Sequence, residues 1–572
     1  MRLKPPYDVS SIRDLRDMLE QSVKRYGEKD AFLVKEPAGS YRGVSYRRFG
    51  EDVHALGAAL AWLGLENGFI AVMGENRYEW CVSYLAAANH VGVVIPLDKE
   101  LPAAEKENLL SKGDAAAVIF SGKFADELKG ISKRLETVRY YINMDLEEDT
   151  EDSLSYRRLL EKGRSLISEG RFDPSGHRIE DGGLGFLLFT SGTTDHAKGV
   201  MLSHSNICSD LMAVCQTVYA DEGDATLSIL PIHHTYECTI GFLAMIYRGA
   251  AIAFNEGLKQ ILKNFKEARP TILITVPLIL ESIYRRIWEQ AGKKAGRKAL
   301  LRIAVLVAGM LYDAFGIDIR RRLFHTIHDG FGGRLRLIMT GAAAINPRVS
   351  KGFRSMGISV LQGYGLTECS PLVTGNRDDA FRDDSIGLPI PGVSVRIDDP
   401  DENGVGELVV KGGNVMLGYY KNEKATQSCL RDGWFHTGDL GRVDRGGFYY
   451  LTGRKKNVIV TKNGKNIFPE EVEAHINKSP FVLESMVTGS FDSQSGETHV
   501  NASIFPNMEE IRERLKLANI NKEELLGIFS EVIRNVNRDM PLYKRIRTFT
   551  IRDVEFAKTT TRKIKRYAEK GG

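Results

Sequence analysis

Apolar residues recur along this 572-residue chain with two periods. Near the start, Ile12, Leu15, Leu19, Val23 and Tyr26 fall at helical spacing, with Ser10 or Ser11 placed to cap and Gly27 just beyond. A second helical run carries Phe49, Val53, Leu56, Leu60 and Leu63 and stops at Gly64. Between such runs lie short continuous apolar stretches: FIAVM (69–73), VGVVIPL (91–97), AAAVIF (115–120), LITVP (273–277) and LRLIMTG (335–341). Strands covered on both faces read this way, and their alternation with helices predicts parallel sheets. In such folds ligands sit at glycine-rich loops beyond strand ends.

The pattern changes near 453–457. PEEVEAHI (469–476) predicts a helix started by Pro469. SMVTGSF and THVNASIF predict strands, 523–536 has helical spacing, and RIRTFTI (545–551) predicts an edge strand. WFHTGDLG (434–441), just before the change, predicts a loop. The expected fold class is α/β. A large N-terminal domain of parallel-stranded α/β sheets and helices spans 1–453, and a small α+β domain spans 454–572.

Composition narrows the function classes. Apolar residues make up 43% and charged residues 27%, ordinary for a globular protein. A net charge of +4 gives no reason to invoke nucleic acid. The six cysteines, Cys81, Cys208, Cys215, Cys238, Cys369 and Cys429, form no CxxC pair, so reduced thiols and a cytoplasmic setting are expected. The N-terminus lacks the apolar stretch of a signal peptide. The longest candidate membrane segment, 303–312, is about half of the ~20 residues that a spanning helix needs.

The densest chemistry lies in LGFLLFTSGTTDHAKGVMLSH (184–204). An apolar strand ends in Thr190, Ser191, Gly192, Thr193 and Thr194, and Lys198 and Gly199 follow. Hydroxyls, close backbone N–H groups and a lysine on one loop fit a polyphosphate. GxxxxGK[ST] does not match, because here the glycine follows the lysine. Taken alone, such a string is also compatible with a solvated Ser/Thr turn.

TSGTTDHAKGV resembles the phosphate loop, TSGTTGxPKGV, of the adenylate-forming superfamily of acyl-CoA synthetases, luciferases and peptide-synthetase adenylation domains. Asp195 and Ala197 depart from that pattern. Four further stretches resemble the superfamily's motifs in its order: QGYGLTECSP (362–371), WFHTGDLG (434–441), GRKKNVIVTKNGKNIFPEEVE (453–473) and KTTTRKIKR (558–566). VSYRRFGEDVHALGAALAWLG through VVIPLDKELPA is similar to its opening, so the resemblance covers nearly the whole chain.

The resemblance implies a reaction and a site. A carboxylic acid is activated with ATP as acyl-AMP, pyrophosphate leaves, and the acyl group passes to a thiol, coenzyme A foremost. Thr190, Ser191, Gly192, Thr193, Thr194 and Lys198 would hold phosphates. Glu368 would be the Mg²⁺ ligand and Thr367 would donate to the α-phosphate. Gln362, Gly363 and Tyr364 would border the adenine, with Gly341, Ala342 and Ala343 as its opposite wall. Asp439 and Arg454 would hold the ribose, although Asp in TGD is also an ordinary turn former. Lys456 takes the hinge position of a mobile small domain. Four positions on, Val460 replaces a lysine common in the superfamily. Lys563 takes the catalytic-lysine position, with Arg562 where a glycine is usual. Ten Lys/Arg against three Asp/Glu in 541–572 also make this tail a plain basic surface. LPIHHTYE (230–237) resembles the acyl-pocket entrance motif and places His234 there; beside it, His233 makes at most a weak zinc site.

The string from 335 to 371, HHTYE and the tail most resemble long-chain fatty acyl-CoA synthetases. Within 290–324, Lys293, Lys294, Arg297, Lys298, Arg302, Arg320, Arg321 and Arg322 flank an apolar run. That arrangement fits peripheral contact with an anionic membrane at its inner face, or a core helix with solvated ends. The competing functions are loading of an acyl carrier protein, activation of a medium-chain or aryl acid, and a non-catalytic nucleotide sensor. The last is disfavoured because Lys198, Glu368, Asp439 and Lys563 are all present.

Overall fold

The computed structural model describes residues 5–36, 39–190, 197–292, 296–461, 466–492, 497–515, 520–558, 564–566 and 569. The chain groups into two compact units. The first comprises Met1–Thr190, Ala197–Val395 and Val410–Phe435; the second comprises chiefly Arg396–Val409 and His436–Gly572. The division expected from the sequence was at 453/454, eighteen residues further along than the crossing at Phe435/His436.

The first unit holds two mixed sheets. One runs Gly418–Tyr419, Lys198–Leu202, Phe186–Thr190, Val93–Leu97, Phe69–Met73, Ala115–Phe120, Tyr140–Asn143, Leu154–Ser155. The other runs Leu388–Pro389, Leu372–Gly375, Ser359–Gly365, Leu337–Thr340, Ile272–Thr275, Ala225–Ser228, Ala251–Phe254, Asp30–Lys35, Tyr41–Ser45. All five apolar runs singled out in the sequence contain strands, and these pair in parallel with their neighbours.

These strands read as unbroken apolar runs because both faces are covered. Val93–Leu97 is buried throughout. The helix Tyr78–His90 is buried from Trp80 to His90. Its Tyr84 stacks on Phe186 of one sheet at 5.5 Å and meets Phe242 at 6.2 Å, which in turn meets Phe32 of the other sheet. This aromatic chain joins the two sheets, and each such ring contributes about 1.5–3 kcal/mol by burial.

Local signals mostly act as expected. The helix Tyr46–Trp62 is capped by Ser45 and ends before Gly64, whose φ is +69°. The first helix differs: it spans Leu15–Tyr26, and its cap is Asp14, whose carboxylate accepts from the Asp17 N–H at 2.8 Å. Ser10 and Ser11 lie too far upstream to do this.

In the second unit, Val482–Asp492, Glu497–Pro506 and Ile546–Ile551 form a three-stranded sheet with Ile546–Ile551 at its edge. Pro469–Ile476 and Lys522–Arg538 pack on it through Val472, Ile476, Phe529 and Ile533. WFHTGDLG is not a loop. It lies in the strand Trp434–Val443, which pairs antiparallel with Tyr449–Arg454. Ladder pairing there overrides the turn preference of Thr437, Gly438 and Asp439.

Candidate active site

The hairpin Phe186–Thr190/Lys198–Leu202 carries the first cluster. Thr190 pairs with Lys198 across the ladder, and its hydroxyl donates to the Lys198 carbonyl at 3.4 Å. Ser191, Gly192, Thr193 and Thr194 lie outside the described residues. The two-residue edge strand Gly418–Tyr419 adds to the hairpin, with Tyr419 opposite Val200. Lys198 Nζ stands 4.7 Å from the centroid of the Tyr419 ring. The Tyr419 hydroxyl donates to Glu368 Oε1 at 2.8 Å. Lys198 and Glu368, distant in sequence, thus share one aromatic ring. Burial and the Glu368 carboxylate push the Tyr419 phenol far up, so it stays a donor.

This arrangement fits Mg²⁺ carried on a polyphosphate. That ion takes one or two carboxylates and completes its shell with phosphate oxygens and water. Glu368 offers such a carboxylate beside a lysine. Among the described residues no group of three His, Cys, Asp or Glu side chains could cage a metal unaided.

The second cluster surrounds the strand Ser359–Gly365. A Cβ at Gly365 would lie 2.0 Å from the Pro371 carbonyl, so only glycine permits this tight turn into Thr367 and Glu368. The Thr235 hydroxyl donates to Thr367 Oγ1 at 3.3 Å, bringing HHTYE against the turn. Gln362 is spent on the fold: its Oε1 accepts from the Ile345 N–H at 2.9 Å, and its Nε2 donates to the Ser385 carbonyl at 3.3 Å. Gln362 thereby fixes the segment that holds Gly341, Ala342 and Ala343. A Cβ at Gly341 would meet the Gly363 carbonyl and the Tyr236 ring at 3.4 Å, while Ala342 and Ala343 are exposed and Ala342 has φ +69°. Tyr364 is buried. The His234 ring lies against His233, tilted by 41° with centroids 4.3 Å apart, and His233 Nε2 lies 3.5 Å from Asp98.

From the last residue of this motif, Glu237–Leu243 winds as a π-helix, a rare form that often marks functional sites. Tyr236 and Ile240 line an apolar cavity of about 30 Å³ with Val214, Met339, Leu361 and Gly363. Glu237 is fully buried. Its Oε1 accepts from the Ser228 hydroxyl at 2.5 Å and its Oε2 has no partner. Burial pushes its pKa up to about 8. A Cβ at Gly241 would lie 2.8 Å from this carboxyl, so the glycine makes room for it.

The second unit carries the remaining candidates. Asp439 pairs with Arg454 across the ladder, and Arg454 Nε reaches Asp439 Oδ1 at 2.6 Å. The Asp439 N–H donates to Thr437 Oγ1 at 3.0 Å, and the Thr437 hydroxyl donates to the Leu408 carbonyl at 2.7 Å. Asp439 is thus a buried, oriented acceptor. Lys456 lies in the short 3₁₀ turn Lys455–Asn457, held by Lys455 on Glu407 and Asn457 on Glu470. Lys563 lies outside the described residues. Its flanks are anchored: Lys558 pairs with Glu484 at 2.8 Å, and Arg566 binds both oxygens of Glu473 at 2.5 Å.

Tyr419, Thr235 and Glu237 are the residues that sequence reasoning passed over. VMLGYYKN offers no signal that its first tyrosine bridges a lysine and a glutamate, because that contact depends on a two-residue strand pairing far along the chain. Glu237 was within the quoted motif, but its burial could not be read there.

The comparisons with known proteins agree on one grouping. The family described as AMP-binding enzyme matches residues 19–420, and the AMP-binding enzyme C-terminal domain matches 456–569. A long-chain-fatty-acid–CoA ligase of Mycobacterium tuberculosis is 27% identical over 92% of this chain and 90% of its own. The human long-chain-fatty-acid–CoA ligase 1 is 28% identical over 92% of this chain and 78% of its own. Among solved structures, ATP-bound MatB from Rhodopseudomonas palustris superposes with a TM-score of 0.75 at 24% identity, covering 97% of this chain and 98% of its own. A fatty acyl CoA synthetase of Mycobacterium tuberculosis gives 0.66 at 21%, covering 97% of each chain. The chain belongs to the AMP-binding enzyme family.

Proposed function

We propose that this protein is an AMP-forming acid–thiol ligase that activates a long-chain fatty acid and passes it to coenzyme A. The observation that carries the reading is the Lys198–Tyr419–Glu368 cluster, on a chain whose relatives of similar length are named long-chain-fatty-acid–CoA ligases. A substrate carboxylate oxygen attacks the α-phosphorus of ATP and pyrophosphate leaves with the broken P–O bond. The coenzyme A thiol then displaces AMP from the acyl-adenylate, releasing a proton.

The chain's part is positioning and charge neutralisation. Thr190, Ser191, Gly192, Thr193, Thr194 and Lys198 hold the β- and γ-phosphates. Thr367, steadied by Thr235, donates to the α-phosphate. Mg²⁺ on Glu368, when bound, draws charge from the phosphate oxygens. Gly341, Ala342, Ala343, Gly363 and Tyr364 enclose the adenine, with Gln362 fixing the loop. Asp439 accepts from the ribose hydroxyls, oriented by Arg454. His234 stands at the mouth of the acyl pocket. Residues 454–572 act as the moving catalytic domain, hinged at Lys456 and delivering Lys563 to adenylation.

A long-chain acid resides largely in membranes, so peripheral contact with an anionic bilayer completes the reading. AMP release should be measured with palmitate, octanoate and benzoate, with and without coenzyme A. Coenzyme A-dependent release highest with palmitate is expected. Preference for benzoate, or a requirement for acyl carrier protein in place of coenzyme A, would overturn the acid or acceptor assignment.

A further inference from the structure

The helix Arg297–Phe315 is apolar on two sides. Its inner side packs Leu301, Ala304, Val305 and buried Ala308 against Phe324, Met356 and Trp288. Met356 lies three residues before the strand Ser359–Gly365, which carries Gln362, Gly363 and Tyr364. The outer side presents Leu300, Ile303, Leu306, Val307 and Met310, at spacings of three and four residues that define one stripe. Leu300 is 66% exposed, Leu306 65% and Met310 68%. Single exposed apolar residues are ordinary, but a continuous stripe this long on a globular surface marks a contact.

Charge decides which contact. Arg285, Arg286, Lys298, Arg302 and Arg322 are exposed on this helix and its neighbours. Asp318, just beyond the helix, is taken up by Arg320, which donates to both its oxygens at 2.9 and 2.8 Å, and the helix's own sequence carries one acid, Asp313, against Arg297, Lys298 and Arg302. A symmetric pair of copies meeting at this stripe would bring the same cations together. A surface of anionic headgroups over acyl chains complements both the stripe and its borders.

We propose that the stripe Leu300–Ile303–Leu306–Val307–Met310 inserts into the surface of an anionic lipid bilayer. The inference rests on the reading of the substrate as a membrane-dwelling acid. Insertion is peripheral, since among the described residues no helix is long and apolar enough to cross a membrane. The structure also corrects the role expected of the arginine triplet. Arg320 is 8% exposed, lies 3.5 Å over the Tyr312 ring and donates to the Arg354 carbonyl. Arg321 donates to the Leu335 carbonyl at 2.9 Å. Both are committed to the fold, so the apolar stripe supplies the main attraction and Arg322 with its exposed neighbours a salt-sensitive remainder.

The test is co-sedimentation of the full chain with phosphatidylglycerol and phosphatidylcholine vesicles at low and high salt. The parent should bind phosphatidylglycerol best, keep measurable binding in high salt, and bind phosphatidylcholine weakly. Leu306→Glu with Met310→Glu should lower vesicle partition by at least about tenfold in both salts. Arg322→Gln should lower it by less than about threefold, and only in low salt. All variants should keep the parent's AMP release on octanoate, a soluble acid, which also reports folding. Parent-like binding by the double variant, or no binding by the parent, overturns the proposal. So does a dimer of the parent that the double variant dissociates, since a second copy would then cover the stripe. Failure of the ligase reading shows separately, as absent AMP release with every acid.

Discussion

Glu237 makes the stability of the first unit depend on pH in a way the structure sets. Its carboxyl is wholly buried, with one oxygen on Ser228 and the other without a partner, and burial lifts its pKa from 4.5 to about 8. The folded unit therefore holds a proton that the unfolded chain releases above pH 4.5. The protonated fold is favoured in full below the unfolded value, and that advantage is lost as pH rises through about 8. Between about pH 6 and about pH 9 this one group should remove ~2–3 kcal/mol of stability, from ~1.4 kcal/mol for each pH unit up to the folded-state value. Glu237→Gln has nearly the same shape and cannot ionise. All four tryptophans, Trp62, Trp80, Trp288 and Trp434, belong to the first unit, so their fluorescence follows its unfolding in urea. The parent's stability relative to the variant should fall by ~2–3 kcal/mol from about pH 6 to about pH 9, other titrating groups cancelling in the difference. A gap that stays constant across that range would refute the reasoning and mean that Glu237 is solvated or charged in the fold.

The catalytic assignments yield two further expectations. Lys563→Ala should slow acyl-adenylate formation by ~10²–10³-fold, the scale of one lost transition-state donor, while thioester formation from supplied acyl-adenylate falls far less; equal loss in both half-reactions would remove the lysine from its role. Glu368→Gln should keep the hydrogen bond from Tyr419 yet raise the Mg²⁺ concentration needed for half-maximal pyrophosphate release, and an unchanged Mg²⁺ dependence would show that the carboxylate is not the ligand.

The sequence disclosed whatever is written along a short piece of chain. The apolar runs at 69–73, 93–97 and 115–120 are strands because no other element buries five or six consecutive apolar residues on both faces so economically. Thr190 and Lys198 were legible as neighbours because only seven residues separate them in the sequence, and the antiparallel ladder sets them opposite one another. Signals that compete locally were not resolved. Ser10, Ser11 and Asp14 are all able caps, and only the position of the first helical turn selects Asp14. Thr437, Gly438 and Asp439 carry turn chemistry, yet Asp439 lies in a strand because Arg454 pairs with it fifteen residues later.

The functional contacts followed the same division, and this explains where sequence reading of the site stopped. Glu368 and Lys198 stand out in their motifs, but what joins them is Tyr419, placed by a two-residue strand whose pairing with Val200 only the folded sheet defines. In 290–324 the sequence displayed cations and apolar residues without saying which were free. Asp318 and Tyr312 take Arg320, the Leu335 carbonyl takes Arg321, and Ala308 turns inward while Leu306 and Met310 turn out. The charge count alone favoured electrostatic attraction; the burial of Arg320 moves the weight to the apolar stripe. A membrane contact built that way should outlast added salt, because screening acts on charges within about a Debye length and leaves the transfer of Leu306 and Met310 from water untouched.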